Sequence, residues 1–461
     1  MQGPEFLSQL PSIDELLDNP RIKAAVDRWS RTTAAARVRS AVTTLSAEVS
    51  RRAESLQNLA PTELLERIIR QLEQPRSALP TRVINASGWL IGDEWSGPPL
   101  ASVAIEAASA DAESFRFGRP HAAAEAAAGL LRVERACVAS SHVAAVSATL
   151  EALAGGGACL VARSEMSQLA PGVRLDEICR RAGVRLREVG ATDSADLDDY
   201  RRAIDEESAA GGPAPLVLRR ATAGQVGVAV EELAGLARER GLRLVVDAAW
   251  LRPLDDTPSY TEGAASAGGL AAKGADAVIL DAAGLMGGPV AGVVAGKTAA
   301  IEAVHERLVS RGDQVASLAD AALAATIGLF RQPATLRFVH PLYQLLDTPV
   351  ENLQTRAERI AGRLAASERI ESAEAQQVAS VCPAMCESPS WAVRVVPAGT
   401  TPEALAGRLR KHDAAVHARV GGGALWLDLR AVPPREDSPL VAAVAPESSS
   451  GAAEGAAVAG S

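Results

Sequence analysis

Lysine is almost missing from this chain. Only Lys23, Lys273, Lys297 and Lys411 occur among 461 residues, and arginine carries nearly all the positive charge. Any chemistry that needs a primary amine therefore has four candidates. Metal-ligand clusters are missing too. The five cysteines are scattered and odd in number, and Cys382-x3-Cys386 has no second pair or nearby histidine to complete a zinc site, so the expectation is ordinary reduced thiols and no metal. The first residues lack a basic segment followed by an apolar one, which argues against a secretion signal. The uncharged run near residues 282–296 is broken by Gly and Pro and is too short to span a bilayer. Together these absences read as a cytoplasmic protein without a membrane partner. The net charge of −9 excludes a surface that attracts nucleic acid everywhere, but leaves room for a local basic patch.

What is present is apolar and regular. Some 48% of residues are apolar and 22% charged, enough for a sizeable core and unlike a disordered chain. Residues 1–78 read as a small helical domain. It is opened by Leu10-Pro-Ser-Ile-Asp-Glu-Leu-Leu17, where Ser12 and Glu15 have capping-box spacing. Between Pro20 and Arg52 there are eight basic residues and two acidic ones. Arg28, Arg31, Arg37 and Arg39 are candidates for a phosphate-contacting face, the alternative being a solvated helix face. After a Pro-rich linker at 74–80, short apolar strands alternate with helical stretches as far as residue 330. That pattern predicts a mostly parallel, doubly wound α/β domain over 79–330. Residues 331–445 read as a smaller C-terminal α+β domain, and 446–461, nearly all Ser, Ala, Gly and Glu, as a disordered tail.

Three places are candidates for chemistry. Asp247 ends the apolar strand Arg243–Asp247. In an open parallel sheet, ligands sit at the carboxyl ends of strands, so Asp247 is placed to face a cleft, unless it simply caps the next turn. Ser140, Ser141 and His142 run from a strand end into a helix. Helix-start N–H groups and hydroxyls bind phosphate and an imidazole can stack on a flat ring, whereas the structural reading is a Ser N-cap. The third place is the apolar stretch Gly274–Gly292, a strand, a Gly-Gly-Pro turn and a second strand.

That stretch resembles the cofactor-lysine segment of fold-type I pyridoxal phosphate enzymes, in particular the bacterial selenocysteine synthase (L-seryl-tRNA(Sec) selenium transferase) family. Further resemblance lies in Leu10–Leu17, in Val83-Ile-Asn-Ala-Ser-Gly88 as the entry to the large domain, in Glu188-Val-Gly-Ala-Thr192, and in Leu427-Asp-Leu-Arg-Ala-Val432. The resemblance implies a β-replacement on seryl-tRNA(Sec) with selenophosphate as selenium donor, pyridoxal phosphate as cofactor, a tRNA-gripping N-terminal domain, an acid at Asp247 that holds the pyridine nitrogen protonated, and a ring of dimers.

The departures fall where the family's chemistry would be. The family's lysine, three residues before Gly-Gly-Pro, is Gly284, and the acid before it is Ala283. The family's Arg after the Asn-Ala-Thr-Gly entry becomes Gly97, its Asn-Asn-Asn becomes Ser140-Ser141-His142, and the lysine of its Arg-x-Asp-Lys becomes Gln314. Without a lysine there is no Schiff base and no base for the α-proton. The leading expectation is a catalytically inactive family member that binds tRNA(Sec) or forms a homo-oligomer, or a hetero-oligomer with an intact paralogue. The alternatives are an active transferase or another pyridoxal phosphate enzyme with an atypical site, and a structural protein that binds neither cofactor nor tRNA.

Overall fold

The computed structural model describes residues 13–26, 38, 63, 65–66, 68–69, 83–92, 97–113, 115, 121–170, 172–221, 227–257, 265–382, 386–412 and 414–446. Contacts divide the chain between Arg82 and Val83 into two compact units. In the first unit, helices span Ile13–Asp18 and Pro20–Val26. Leu16, Leu17, Ile22, Val38, Ile68 and Ile69 are buried there. Arg28, Arg31, Arg37 and Arg39 lie outside the described residues, as does the tail from 447.

The second unit holds two sheets. Its first strand, β1 (Val83–Ala86), does not belong with the large sheet, as its sequence position suggested. It pairs in parallel with Ala415–Gly421, far along the chain, in the C-terminal sheet. The four residues of β1 carry no signal of their partner, and only the tertiary fold sets it.

The large sheet has seven strands: β2 (Arg135–Ala139), β3 (Ala158–Ala162), β4 (Arg185–Val189), β5 (Leu216–Arg220), β6 (Arg243–Asp247), β7 (Ala277–Asp281) and β8 (Gly292–Gly296). Their spatial order is β2-β8-β7-β6-β5-β3-β4. Only β8 runs against its neighbours β2 and β7. The alternation of side chains along these strands feeds two apolar layers. Leu160, Val217, Val246, Val278, Leu280 and Val293 pack on one face. Val161, Leu216, Leu218, Val245, Ile279 and Val294 pack on the other. Both faces are covered by helices, as near-continuous Val/Ile/Leu/Ala strands require.

The C-terminal sheet has the order β1-β11-β12-β10-β9, formed with β9 (Ile370–Cys382), β10 (Cys386–Pro397), β11 (Ala415–Gly421) and β12 (Ala424–Asp428). The amphipathic helix Val350–Ala365 lays Leu353, Ala357, Ile360 and Leu364 on it. Cys382 and Cys386 face each other across the β9–β10 hairpin, but the side chains of 381–387 are outside those described. Among the described residues no group of three or more His, Cys, Asp or Glu is gathered for a metal, and no helix is long and apolar enough to cross a membrane.

Candidate functional site

The candidate site forms at the carboxyl ends of β5, β6 and β7. Asp247 is the last residue of β6, and parallel pairing with β5 sets Arg220 beside it in register. Arg220 Nε donates to Asp247 Oδ2 at 3.1 Å. On the other side, His142 Nε2–H donates to Asp247 Oδ1 at 2.9 Å. The Ala249 amide adds a third donor to Oδ1 at 3.2 Å. Both carboxylate oxygens are therefore taken, and Asp247 is only 3% exposed.

The network continues behind Arg220. Its Nη1 donates to the Ser167 carbonyl at 2.6 Å and the Ser167 hydroxyl at 2.9 Å. Glu165 accepts from Arg219 Nη1 at 2.5 Å and from the Arg220 amide at 2.7 Å. Glu165, Arg219, Arg220, Asp247 and His142 are all buried. Such charges are tolerated away from water only when paired and hydrogen-bonded, which is the case here.

The protonation states follow from the pairing. Burial disfavours the Asp247 carboxylate, but the charge and hydrogen bond of His142, and then of Arg220, outweigh it and hold the carboxyl well below the usual carboxylate range. Burial also disfavours a charged His142, yet Asp247, with Asp281 behind it, raises the imidazole above the ordinary histidine value against the opposing Arg220. At Glu165 burial wins over Arg219 and Arg220 and pushes the carboxyl up.

Ser141 caps the helix His142–Ala154, with its hydroxyl accepting from the Ala144 amide at 3.1 Å. That is the structural reading of this serine. Ser140 is exposed, and its amide donates to the Asp313 carbonyl at 2.8 Å.

Gly284 sits, buried, in the turn that follows β7. A Cβ built there would lie 2.8 Å from the Ala249 carbonyl oxygen and 3.1 Å from that of Asp281. The backbone has closed over the position, so no side chain fits without movement of main chain. Gly287, with φ +64°, needs glycine for a second reason: a Cβ would come within 2.2 Å of the His340 ring. His340 Nε2–H donates to the Met286 carbonyl at 3.1 Å and the Tyr343 hydroxyl to that of Leu285 at 2.7 Å. These two rings clasp the turn from one side, packed edge-on to Phe330. Burial drives the His340 pKa down to about 4, against the pull of its Met286 hydrogen bond.

The positions at which the sequence departs from the family come together here. A Cβ on Gly97 would touch Ala283 Cβ at 3.4 Å. Gln314 bridges Ala139 beside the Ser140–His142 turn. Two lysines of the second unit stand apart. Lys297 pairs with Asp276 at 2.8 Å at the amino end of β7, opposite Asp247, and Lys273 pairs with Glu231 at 2.8 Å on the surface. Sequence reading missed Glu165, Arg219, Arg220, His340 and Tyr343. Two arginines closing the apolar run Leu216–Arg220 were a signal for the middle pair. The clasp residues gave none.

A pyridine ring needs a carboxylate oxygen for its nitrogen, and its aldehyde needs an amine. The residues present do not fit: Asp247 is enclosed with protein donors on both oxygens, and the amine position is a glycine where a side chain needs main chain to move.

The seven-stranded sheet with its single reversed strand and the acid at the end of β6 define an α/β protein of the fold-type I pyridoxal phosphate transferase class. A solved structure of the same fold is D-glucosaminate-6-phosphate ammonia-lyase, at TM-score 0.57 and 19% identity over 79% of this chain and 95% of that one. The chain belongs to the L-seryl-tRNA selenium transferase family, whose pattern it matches over residues 103–433, with the selenocysteine synthase N-terminal pattern at residues 7–45. It is similar to the L-seryl-tRNA(Sec) selenium transferase of Yersinia enterocolitica serotype O:8 / biotype 1B, at 30% identity over 95% of this chain and 98% of that protein. It is 31% identical to the enzyme of the same description from Serratia proteamaculans, over 93% of this chain and 96% of that one.

Proposed function

We propose that this protein is a non-catalytic member of the selenium transferase family that keeps the fold and serves as a tRNA(Sec)-binding or oligomer-forming partner of an intact paralogue in the cytoplasm. One observation supports the loss of chemistry: the position of the family's lysine is Gly284, and a Cβ there would lie 2.8 Å from the Ala249 carbonyl oxygen, so that a side chain needs main chain to shift. Exposed Lys273 and Lys297 are tied to acids away from Asp247. Support for the tRNA role comes from the N-terminal family match at residues 7–45, which covers the basic stretch with Arg28, Arg31, Arg37 and Arg39.

The test of inactivity is to mix the full chain with pyridoxal phosphate, reduce with borohydride and map the peptides. The expected result is no adduct at a single lysine. A stoichiometric adduct at one lysine sinks the reading. For the tRNA role, a gel shift with tRNA(Sec) is compared with that of the R37E/R39E variant. Weaker binding by the variant is expected, and unchanged affinity removes the basic stretch from the argument.

A further inference from the structure

The network around Asp247 is more complete than loss of a cofactor alone would leave. A carboxylate abandoned in an apolar site lowers its free energy by taking a proton or by admitting water. Here protein donors meet both of its oxygens instead. It is enclosed, accepts three protein donors, and has a guanidinium fixed against its second oxygen.

The guanidinium is itself held from behind. Arg220 spends Nη1 on the Ser167 carbonyl and hydroxyl, and its main chain is tied to Glu165 through its amide and to Arg219 through its carbonyl. Gly227 covers that inner pair so closely that a Cβ there would lie 2.7 Å from Arg219 Nη2 and 3.2 Å from Glu165 Oε1. Arg220 thus cannot swing away from Asp247 without breaking several buried hydrogen bonds.

Resting on the non-catalytic reading above, we propose that Arg220 is a built-in counter-cation of Asp247: it supplies the positive charge that a protonated ring nitrogen would otherwise bring, and so excludes flat pyridinium ligands from the end of β6. Arg220 becomes a specificity-determining residue that acts by occupying the acceptor. A planar, permanently charged fork suits this task, because it cannot be neutralised and binds a carboxylate with fixed geometry.

The probe for this inference is 4′-deoxypyridoxine 5′-phosphate, which has the ring nitrogen and phosphate but no aldehyde. It forms no adduct with any lysine, so its result is independent of the borohydride test. Binding is measured by calorimetry on the full chain. Wild type is expected to bind no better than D247N. Arg220→Met keeps the aliphatic stem and removes the charge; it is expected to bind the probe about tenfold or more tightly than wild type. Adding Asp247→Asn to that variant should cancel the gain.

Thermal melting of the four proteins gives a readout that does not need a ligand. The double variant should melt well above the value expected from adding the two single losses, the mark of a coupled pair. Two results overturn the proposal: wild type binds the probe and D247N weakens it, or R220M gains no affinity. If R220M fails to fold, Arg220→Gln takes its place, and no gain in affinity for the probe there overturns the proposal just as firmly.

Discussion

Two buried aspartates, one in each sheet of the second unit, are satisfied by opposite means. Asp247 in the large sheet is held by an arginine and an imidazole. Asp428, at the end of β12, is fully buried, yet its near donors are neutral: the Ser380 hydroxyl at 2.8 Å, the Ser390 hydroxyl at 2.6 Å and the Arg430 amide at 3.0 Å. The nearest guanidinium nitrogen, from Arg419, is 3.6 Å away. Gly88, in a left-handed conformation with φ +83°, presses against Asp428 so that a Cβ would lie 2.3 Å from Oδ2. The Asn-Ala-Ser-Gly88 and Leu427-Asp-Leu-Arg430 runs that resemble the family meet at this point. Where residues lock main chain to main chain, the family pattern is kept. At the end of β6, by contrast, the acid is held by charged side chains rather than by hydroxyls and main chain.

The largest effect that would sharpen this contrast is the loss of the charged acceptor. Asp247→Asn turns one acceptor oxygen into donors facing Arg220 or His142 and leaves a buried guanidinium unpaired, a loss of about 3–5 kcal/mol. Asp428→Asn faces rotatable hydroxyls that can turn to accept, so its loss should be smaller, about 1–3 kcal/mol. Urea unfolding of both variants measures the difference. Equal losses would erase the distinction between the two sites.

The next effect is a pH dependence. The His340 pKa falls from 6.5 to about 4 on folding, so between those values the unfolded chain binds the proton first. Stability present at neutral pH is lost as acid comes through that window, by ~3 kcal/mol over the full range. His142 runs the other way, since its raised pKa favours the folded state as pH falls. The clean comparison is therefore wild type against His340→Gln in melts at pH 7 and pH 4.5. The variant should lose the His340 part of the slope, and an unchanged slope would rule out the clasp as its source.

Restoring the missing amine gives a third prediction. Gly284→Lys meets the Ala249 and Asp281 carbonyls, so it should destabilise by about 1–3 kcal/mol and yield no borohydride-fixed adduct with pyridoxal phosphate. An adduct mapped to position 284 would show that the turn opens readily. Last and smallest, Lys297→Met removes an exposed pair with Asp276 and should change stability by less than about 1 kcal/mol.

Much of the large sheet was legible. β2 to β8 are short Ala/Val/Leu/Ile runs bounded by turn residues and alternate with helices, as the pattern in the sequence implies. Asp247 could be placed because a strand end is a place in the fold, and Gly284 because its flanks match without a gap. The sheet to which β1 belongs was not legible, because a parallel partner so distant in sequence leaves no local trace. β9 (Ile370–Cys382) was missed, since Ser-Ala-Glu-Ala-Gln-Gln is a poor apolar alternation that only pairing with β10 makes a strand. The arginine at Asp247 is hidden because the apolar run of β5 stops at Leu218, two residues short of the register that brings Arg220 across.

The closed turn at Gly284 also bears on history. Losing a lysine takes one codon, and regaining one takes one codon as well. On the non-catalytic reading the two steps would nevertheless be unequal, because main chain stands close to the position. With the Ala249 carbonyl 2.8 Å from a Cβ at 284, Gly287 seated under the His340 ring and Arg220 bonded to Asp247, a lysine at 284 would enter a site that accommodates it only if main chain moves. On the non-catalytic reading the turn would act as a ratchet, because a lysine at 284 would need the surrounding main chain to shift with it.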